Sequence, residues 1–260
     1  MIAITGASGF IGGAIAKQLR ETRSISTRGP IQAADLDGCG AIVNLAGETV
    51  AQRWTSAAKQ RIRSSRVEGT RKLVDAIGSM PVKPRVLVSA SAMGIYGSGF
   101  LQEVCEEWER EANRAGESGV RVVLMRFTTV LGDGGALKKM LPPFRLGLGG
   151  KVGDGKQVMS WIHVRDAARF VEFAIEHESL RGPVDAASPN PVNNARFTRE
   201  LGHALHRPTI FTVPKFALNL AYGEMAHIIY DDLSITPQAA IQAGFRFDFP
   251  ELGAALRDLI

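Results

Sequence analysis

Thr5-Gly6-Ala7-Ser8-Gly9-Phe10-Ile11-Gly12 follows the apolar run Ile2-Ala3-Ile4 and opens a stretch over 10–20 whose pattern predicts a helix. A glycine-rich turn between a first strand and a first helix is the context a dinucleotide needs. In the spacing G-x-x-G-x-x-G, Gly6 permits the tight turn, Gly9 lets a pyrophosphate approach the backbone, and Gly12 lets the helix pack closely on the sheet. The first amides of a helix have no partner within it, so they favour a bound anion. Gly6, Ser8, Gly9, Phe10, Ile11 and Gly12 are therefore the first cofactor-binding candidates.

Outward from this turn, strand-length apolar runs alternate with helical patterns. Strands are expected over 24–28, 41–45, 85–89 and 121–127, and helices over 57–77 and 101–115. The long helix should bury Ile62, Val67, Leu73, Val74 and Ile77. This rhythm implies a parallel sheet covered on both faces and joined by right-handed crossovers. From about Leu131 glycines punctuate what reads as a loop-rich stretch, followed by helices over 166–178 and 194–205 and several prolines. The expected organisation is a nucleotide-binding domain over 1–165, returning in part through 166–190, and a substrate-side lobe over 191–260.

The chain has 260 residues, 45% of them hydrophobic and 22% charged, enough for a large core without disulfides or metals. Its two cysteines, Cys39 and Cys105, form neither a disulfide framework nor a zinc motif, and His203 and His206 lack companion ligands, so no metal is expected. No apolar run is long enough to span a bilayer, and a strand pattern begins at once, so a cytoplasmic location is expected. The net charge of +5 gathers in no single tract; the basic residues between Lys59 and Lys72 read equally as a solvated helix face or as phosphate ligands. No recognition motif for nucleic acid is present. The expected partner is a small molecule, with neither nucleic acid nor membrane, for a monomer or homodimer.

The second strand is expected to end at Thr27-Arg28. An acidic residue there would hold the ribose hydroxyl of NAD, whereas the fork of Arg28 suits the 2′-phosphate of NADP. Asn44-Leu45-Ala46-Gly47 ends the next strand, and its small residues let a nucleoside lie against the backbone. Arg61 and Arg66 follow on the long helix as candidates for phosphate or ribose contacts, or as solvated side chains.

With Asn44–Gly47, Ser89-Ala90-Ser91-Ala92-Met93-Gly94-Ile95-Tyr96-Gly97, Trp108-Glu109, Val130-Leu131-Gly132, Ser160-Trp161-Ile162-His163-Val164 and Gly244-Phe245-Arg246-Phe247 in view, the chain resembles the extended short-chain dehydrogenase/reductase superfamily. It is most similar to the "epimerase family" branch, which has its own C-terminal domain. The resemblance runs nearly end to end. It implies an α/β fold, a Rossmann-type doubly wound parallel sheet with a smaller C-terminal α/β lobe, and NADP(H) as cofactor. It implies dinucleotide contacts at Thr27, Arg28, Leu45, Ala46, Arg61, Arg66 and Val130, with Gly47 and Ser89 beside them. Two segments look shorter than the family pattern, one before Gly29-Pro30-Ile31 and one between Tyr96-Gly97 and Ser98-Gly99-Phe100.

Catalysis in the superfamily typically uses a tyrosine with a lysine four residues on, whose charge lowers the phenol pKa. The three tyrosines here, Tyr96, Tyr222 and Tyr230, are followed at that distance by Phe100, Ala226 and Ser234. Ser91 and Tyr96 are the remaining acid/base candidates, with a capping hydroxyl and a packing ring as their plain alternatives. Met93, Trp161 and His163 are expected on the substrate side, although a structural histidine is the plainer reading of His163. Two functions follow: an NADP(H)-dependent oxidoreductase or epimerase-like enzyme, or a non-catalytic NADP(H)-binding regulator.

Overall fold

The computed structural model describes residues 1–230 and 232–260. The first half alternates as expected: β1 (Ile2–Thr5), α1 (Phe10–Gln18), β2 (Thr22–Ile25), β3 (Ala41–Asn44), α2 (Ser56–Ser79), β4 (Val86–Ala92), α3 (Phe100–Asn113) and β5 (Arg121–Phe127). Then come β6 (Thr129–Leu131), α4 (Gly135–Arg145), β7 (Gly150–Val152), β8 (Val158–Met159), β9 (Trp161–His163), α5 (Val164–Glu176) and β10 (Gly182–Ala186). The remainder is β11 (Val192–Asn193), α6 (Asn194–Leu205), β12 (Phe211–Val213), α7 (Lys215–Tyr222), α8 (His227–Tyr230), α9 (Gln238–Gln242) and α10 (Leu252–Leu259).

Six strands form one sheet in the order β10-β5-β4-β3-β1-β2, and every pairing in it is parallel. The chain steps one way from β1 to β2 and the other way from β1 to β3. The crevice at such a reversal, outside the carboxyl ends of the strands, is where an α/β sheet binds its ligand. The six-strand dinucleotide order 3-2-1-4-5-6 carries one more strand outside the second. Here the chain passes from Ile25 through a single 3₁₀ turn, Ala33–Leu36, to β3, so β2 is the sheet edge. The segment that looked short in the sequence is the one that would carry that strand.

Two apolar cores cover the sheet. On one face Ile4, Val43, Val88 and Met125 pack with Ile15 of α1 and Phe170, Val171 and Ala174 of α5. On the other, Ala3, Ile42 and Leu87 pack with Leu73, Val74 and Ile77 of α2. All five apolar residues expected to face inward from α2 are buried. A third core joins Leu131, Leu137, Phe144 and Trp161 to Phe197, Leu201, Leu252 and Leu256, with the short pairs β6–β9, β7–β12 and β8–β11 around it.

Three expectations are corrected. β2 spans Thr22–Ile25 rather than 24–28, so Thr27 and Arg28 lie beyond the strand. α5 begins at Val164, two residues before its expected start. The stretch expected to be loop contains α4, with Pro142 and Pro143 inside its last turns. The flanking glycines hid its pattern, yet Leu137, Leu141 and Phe144 recur at helical spacing, and Leu137 and Phe144 are buried.

The glycine turn is sterically exacting. A Cβ on Gly12 would lie 2.1 Å from the Gly6 carbonyl oxygen, and one on Gly6, at φ +71°, would lie 2.8 Å from the Leu45 carbonyl carbon. Gly12→Ala should therefore lower stability by about 2–3 kcal/mol, read as a lower urea midpoint with an unchanged slope; an unchanged midpoint would contradict this packing.

Candidate functional site

The site is built on a row of buried polar side chains under the strand ends. Thr5, Asn44 and Ser89 sit side by side in register on β1, β3 and β4. Thr5 Oγ1 donates to Asn44 Oδ1 at 2.7 Å, and Asn44 Nδ2 donates to Ser89 Oγ at 3.1 Å and to Thr70 Oγ1 of α2 at 2.8 Å. Trp108 Nε1 of α3 also donates to Thr70 Oγ1, at 2.9 Å. The amides of Leu45 and Ala46 donate to Thr5 Oγ1 at 3.1 and 3.2 Å. Four neutral side chains, each at most 1% exposed, thus satisfy one another and fix the strand ends that border the crevice.

Above this row lies the glycine turn. The Gly9 amide donates to the Gly6 carbonyl at 2.9 Å, and Gly9 caps α1 without any side-chain hydrogen bond. Ser8 is exposed, and Phe10 and Ile11 are half-buried. The Phe10 ring is enclosed by a second glycine set: a Cβ on Gly132 or Gly134 would lie within 2.6 Å of it. Sequence reasoning read Gly134 only as loop punctuation, and Gly132 as that and as the end of a stretch carrying the family resemblance.

Across the crevice, Leu45 and Ala46 are half-buried and Gly47 is exposed. Arg66 lies against Gly47, donates to the carbonyls of Glu48 and Ile62 at 2.9 and 3.1 Å, and stacks over Trp108 at 5.2 Å. Burial holds its guanidinium below the ordinary arginine range, with Cys105 and Glu48 opposing the shift. Arg61 instead faces solvent near Gln52. Thr27 packs near Gly69, while Arg28 is exposed and its guanidinium has no partner among the described residues. Ser89 and Val130 are buried beneath the crevice, at 0% and 7% exposure, so their side chains do not reach into it.

Ser91 and Tyr96 are brought together through three residues that sequence reasoning missed. Ser91 Oγ donates to Glu109 Oε1 at 2.6 Å. Arg126 holds Glu109 in a two-pronged pair, at 2.8 Å on each oxygen. Another Arg126 nitrogen donates to Tyr96 Oη at 2.8 Å, and Tyr96 Oη donates to Asp185 Oδ1 at 2.8 Å. Ser91, Arg126 and Asp185 are register neighbours on β4, β5 and β10. Burial, reinforced by Asp185, pushes the Tyr96 phenol above its ordinary value despite the bond from Arg126. Burial also raises the Asp185 carboxyl, while the bond to Glu109 raises Arg126 further. A charged Arg126 near the carboxyl end of β5, after the apolar run Val122–Met125, was the available clue.

On the substrate side, Met93 borders a small cavity of about 80 Å³ shared with Thr129 of β6 and Met140 of α4. Trp161 does not: it is fully buried in the third core and its indole donates to the Asn190 carbonyl at 3.1 Å. His163 does not border that cavity either, and its contacts match the plainer structural reading. It caps α5, its Nδ1 accepting from the Arg165 amide at 3.1 Å, and its ring stacks on Phe249 at 3.9 Å. Its Nε2 lies 3.3 Å from Asp258 Oδ2 without a hydrogen bond of good geometry. Both residues pack the lobe because β9 runs into the interior, where its three residues are all buried. Among the described residues no cluster suited to a metal ion occurs.

Residues 31–185 match the NAD dependent epimerase/dehydratase family, and residues 213–259 match a domain of unknown function, DUF1731. The epimerase family protein YfhF of Bacillus subtilis is 35% identical over 295 aligned positions, taking in 100% of this chain and 97% of the relative. The chloroplastic SDR39U1 homologue of Arabidopsis thaliana, also named an epimerase family protein, is 36% identical over 300 positions, covering 100% of this chain and 86% of its own. The crystal structure of the human epimerase family protein SDR39U1 (isoform 2) with NADPH superposes with a TM-score of 0.92 at 31% identity, over 99% of this chain and 98% of that one. The alignments with YfhF and with the Arabidopsis protein are longer than this chain's 260 residues, so these relatives carry stretches that it lacks.

Two measurements check this geometry. Glu109→Ala strands Arg126 and should cost about 3 kcal/mol, whereas Tyr96→Phe should cost about 1 kcal/mol; equal costs in urea unfolding would refute the network. Burial, opposed by Asp258, holds His163 below the ordinary histidine value. The unfolded chain therefore takes up that proton first, so His163 stabilises the fold above its unfolded pKa and that contribution fades as pH falls. Stability should decline from about pH 7.5 to about pH 5, less steeply in His163→Gln; parallel curves would contradict this reading.

Proposed function

The chain belongs to the NAD dependent epimerase/dehydratase family, and from that membership we propose that it binds NADP(H) and acts as an oxidoreductase or epimerase-like enzyme on a small molecule. The observation that carries the cofactor is the glycine turn at the β1/β3 switch point, whose helix amides point into the crevice with no side chain capping them.

The residues present fit the dinucleotide. Gly6 and Gly12 leave no Cβ in the cradle, and Arg28 offers an exposed, unpartnered guanidinium just past β2. Gly9 and the amides of Phe10, Ile11 and Gly12 would hold the diphosphate, and Arg28 the 2′-phosphate. The human relative crystallised with NADPH supports NADP(H) as the cofactor. When bound, the nicotinamide supplies a hydride donor or acceptor. Arg126 and Asp185 orient the Tyr96 hydroxyl, and burial together with Asp185 keeps its proton on the phenol against the opposing bond from Arg126. Ser91 is 2% exposed and spends its proton on Glu109, so it supports this cluster. The protein acts without nucleic acid or membrane, as a cytoplasmic monomer or homodimer; none of the described helices is long and apolar enough to cross a membrane.

A second reading, a non-catalytic NADP(H)-binding regulator, is favoured by one observation: Tyr96 is held between an arginine and a carboxylate, with no lysine to lower its pKa. NADPH binding with no turnover over a wide substrate panel would select it.

Calorimetry with NADPH and NADH tests the cofactor. Arg28→Glu should weaken NADPH by about 10–100-fold and leave NADH nearly unchanged. Equal wild-type affinity for the two would remove the role of Arg28.

A further inference from the structure

The cavity beside Met93 has a composition that bears on its ligand. It lies outside the carboxyl ends of β4 and β5, where a nicotinamide ring in the proposed site would end. Its volume of about 80 Å³ holds on the order of six water-sized groups. Three thioethers, from Met93, Met140 and Met159, form much of its wall, and Ile228 and Leu233 close it from the C-terminal lobe. None of the described residues lining it carries a charge.

Two lining residues carry hydroxyls, and their states differ. Ser160 Oγ donates to the Leu233 carbonyl at 2.8 Å and accepts from the Ile235 amide at 2.8 Å, so it is engaged in the wall. Thr129 Oγ1 has no partner among the described residues. The nearby lysines are turned away. Lys139 donates to the Ala51 carbonyl, Lys138 is exposed, and Lys215 lies over the Tyr230 ring at 5.1 Å. A diphosphate placed here would lose its hydration without meeting a cation, a heavy cost in an apolar wall.

We infer that this cavity takes a small, uncharged carbonyl compound with an apolar body, held by one hydrogen bond from Thr129, and not a nucleotide sugar. The inference rests on the NADP(H) reading and names the substrate class of that site. In the reducing direction the C=O π bond opens, the carbon gains the hydride of NADPH and the oxygen gains one H⁺ from the buffered solvent, giving an alcohol and NADP⁺. The methionine wall suits ligands of varied outline, because thioether chains repack at low cost.

The test uses the full chain. Calorimetry with NADPH comes first; absence of binding overturns the cofactor reading and this inference with it. With NADPH bound, cyclohexanone and benzaldehyde are then compared with UDP-glucose, by NADPH oxidation and by binding heat. Turnover of the two small carbonyls, with no response to UDP-glucose, is expected. Thr129→Val should raise KM about tenfold and lower kcat as well, because the same hydrogen bond meets the charge that develops on the carbonyl oxygen, while the NADPH affinity stays near wild type. Ala136→Trp, which fills the cavity from α4, should abolish the response and keep NADPH binding. Normal NADPH binding with no response to either carbonyl, or tighter binding of UDP-glucose, overturns the substrate class and leaves the cofactor reading standing. An unaltered KM in a folded Thr129→Val variant removes Thr129 from it.

Discussion

The carbonyl oxygen of Gly6 occupies the space where a side chain on Gly12 would begin, and Gly6 itself presses against the backbone of Leu45. These two contacts set how closely α1 approaches β1 and how closely β1 ends approach β3. The first turn of α1 is thereby aimed at the crevice between two strands that lead in opposite directions. Any side chain at either position would move the helix start or the strand end, and with it the uncapped amides. The enclosure of Phe10 by Gly132 and Gly134 extends the same constraint to the loop after β6. Glycines in two distant stretches thus hold the turn from both sides.

The polar groups under the crevice divide by charge. Thr5, Asn44, Thr70 and Ser89 form a neutral set in which every side chain has a hydrogen-bond partner, which fixes geometry without burying charge. Farther along the strand ends, Glu109 and Arg126 place opposite charges in a half-buried pocket and recruit Ser91, Tyr96 and Asp185. A lysine beside a tyrosine can lower the phenol pKa by its charge. Here the cation is already matched by Glu109, and the phenol also faces a carboxylate. The balance falls on the side of the protonated phenol. The cluster therefore positions a hydroxyl more readily than it relays a proton.

What was legible in the sequence was local. The glycine turn, the buried face of α2, the bounds of β5 and those of α6 depend on spacing within one element, and spacing is written along the chain. What was hidden depends on which elements meet. Glu109, Arg126 and Asp185 lie on α3, β5 and β10, and only the sheet order brings them to one point. Trp161 and His163 were expected on the substrate side because they sit in a stretch that carries the family resemblance. The direction of β9, set by its pairing with β6, sends both into the interior. α4 escaped because glycines and two prolines flank or enter it, although its apolar residues keep a helical period that packing against the lobe completes.

The distribution of positive charge follows from the same packing. The basic stretch of α2 could be read as a solvated face or as phosphate ligands. Arg63 pairs with Glu107, Arg71 with Glu111, and Arg114 of the following turn with both Glu111 and Asp75. These exposed pairs contribute little stability each, but they turn much of that charge toward α3 and away from the crevice. Arg28, just beyond the edge strand β2, is exposed and has no such pairing among the described residues. An anion approaching the carboxyl ends of the strands therefore meets an uncommitted guanidinium at the β2 end and an uncharged cavity at the β4 end. In the proposed function, that gradient would place the phosphate-rich half of NADP(H) over β1 and β2 and its uncharged reacting ring beside Met93.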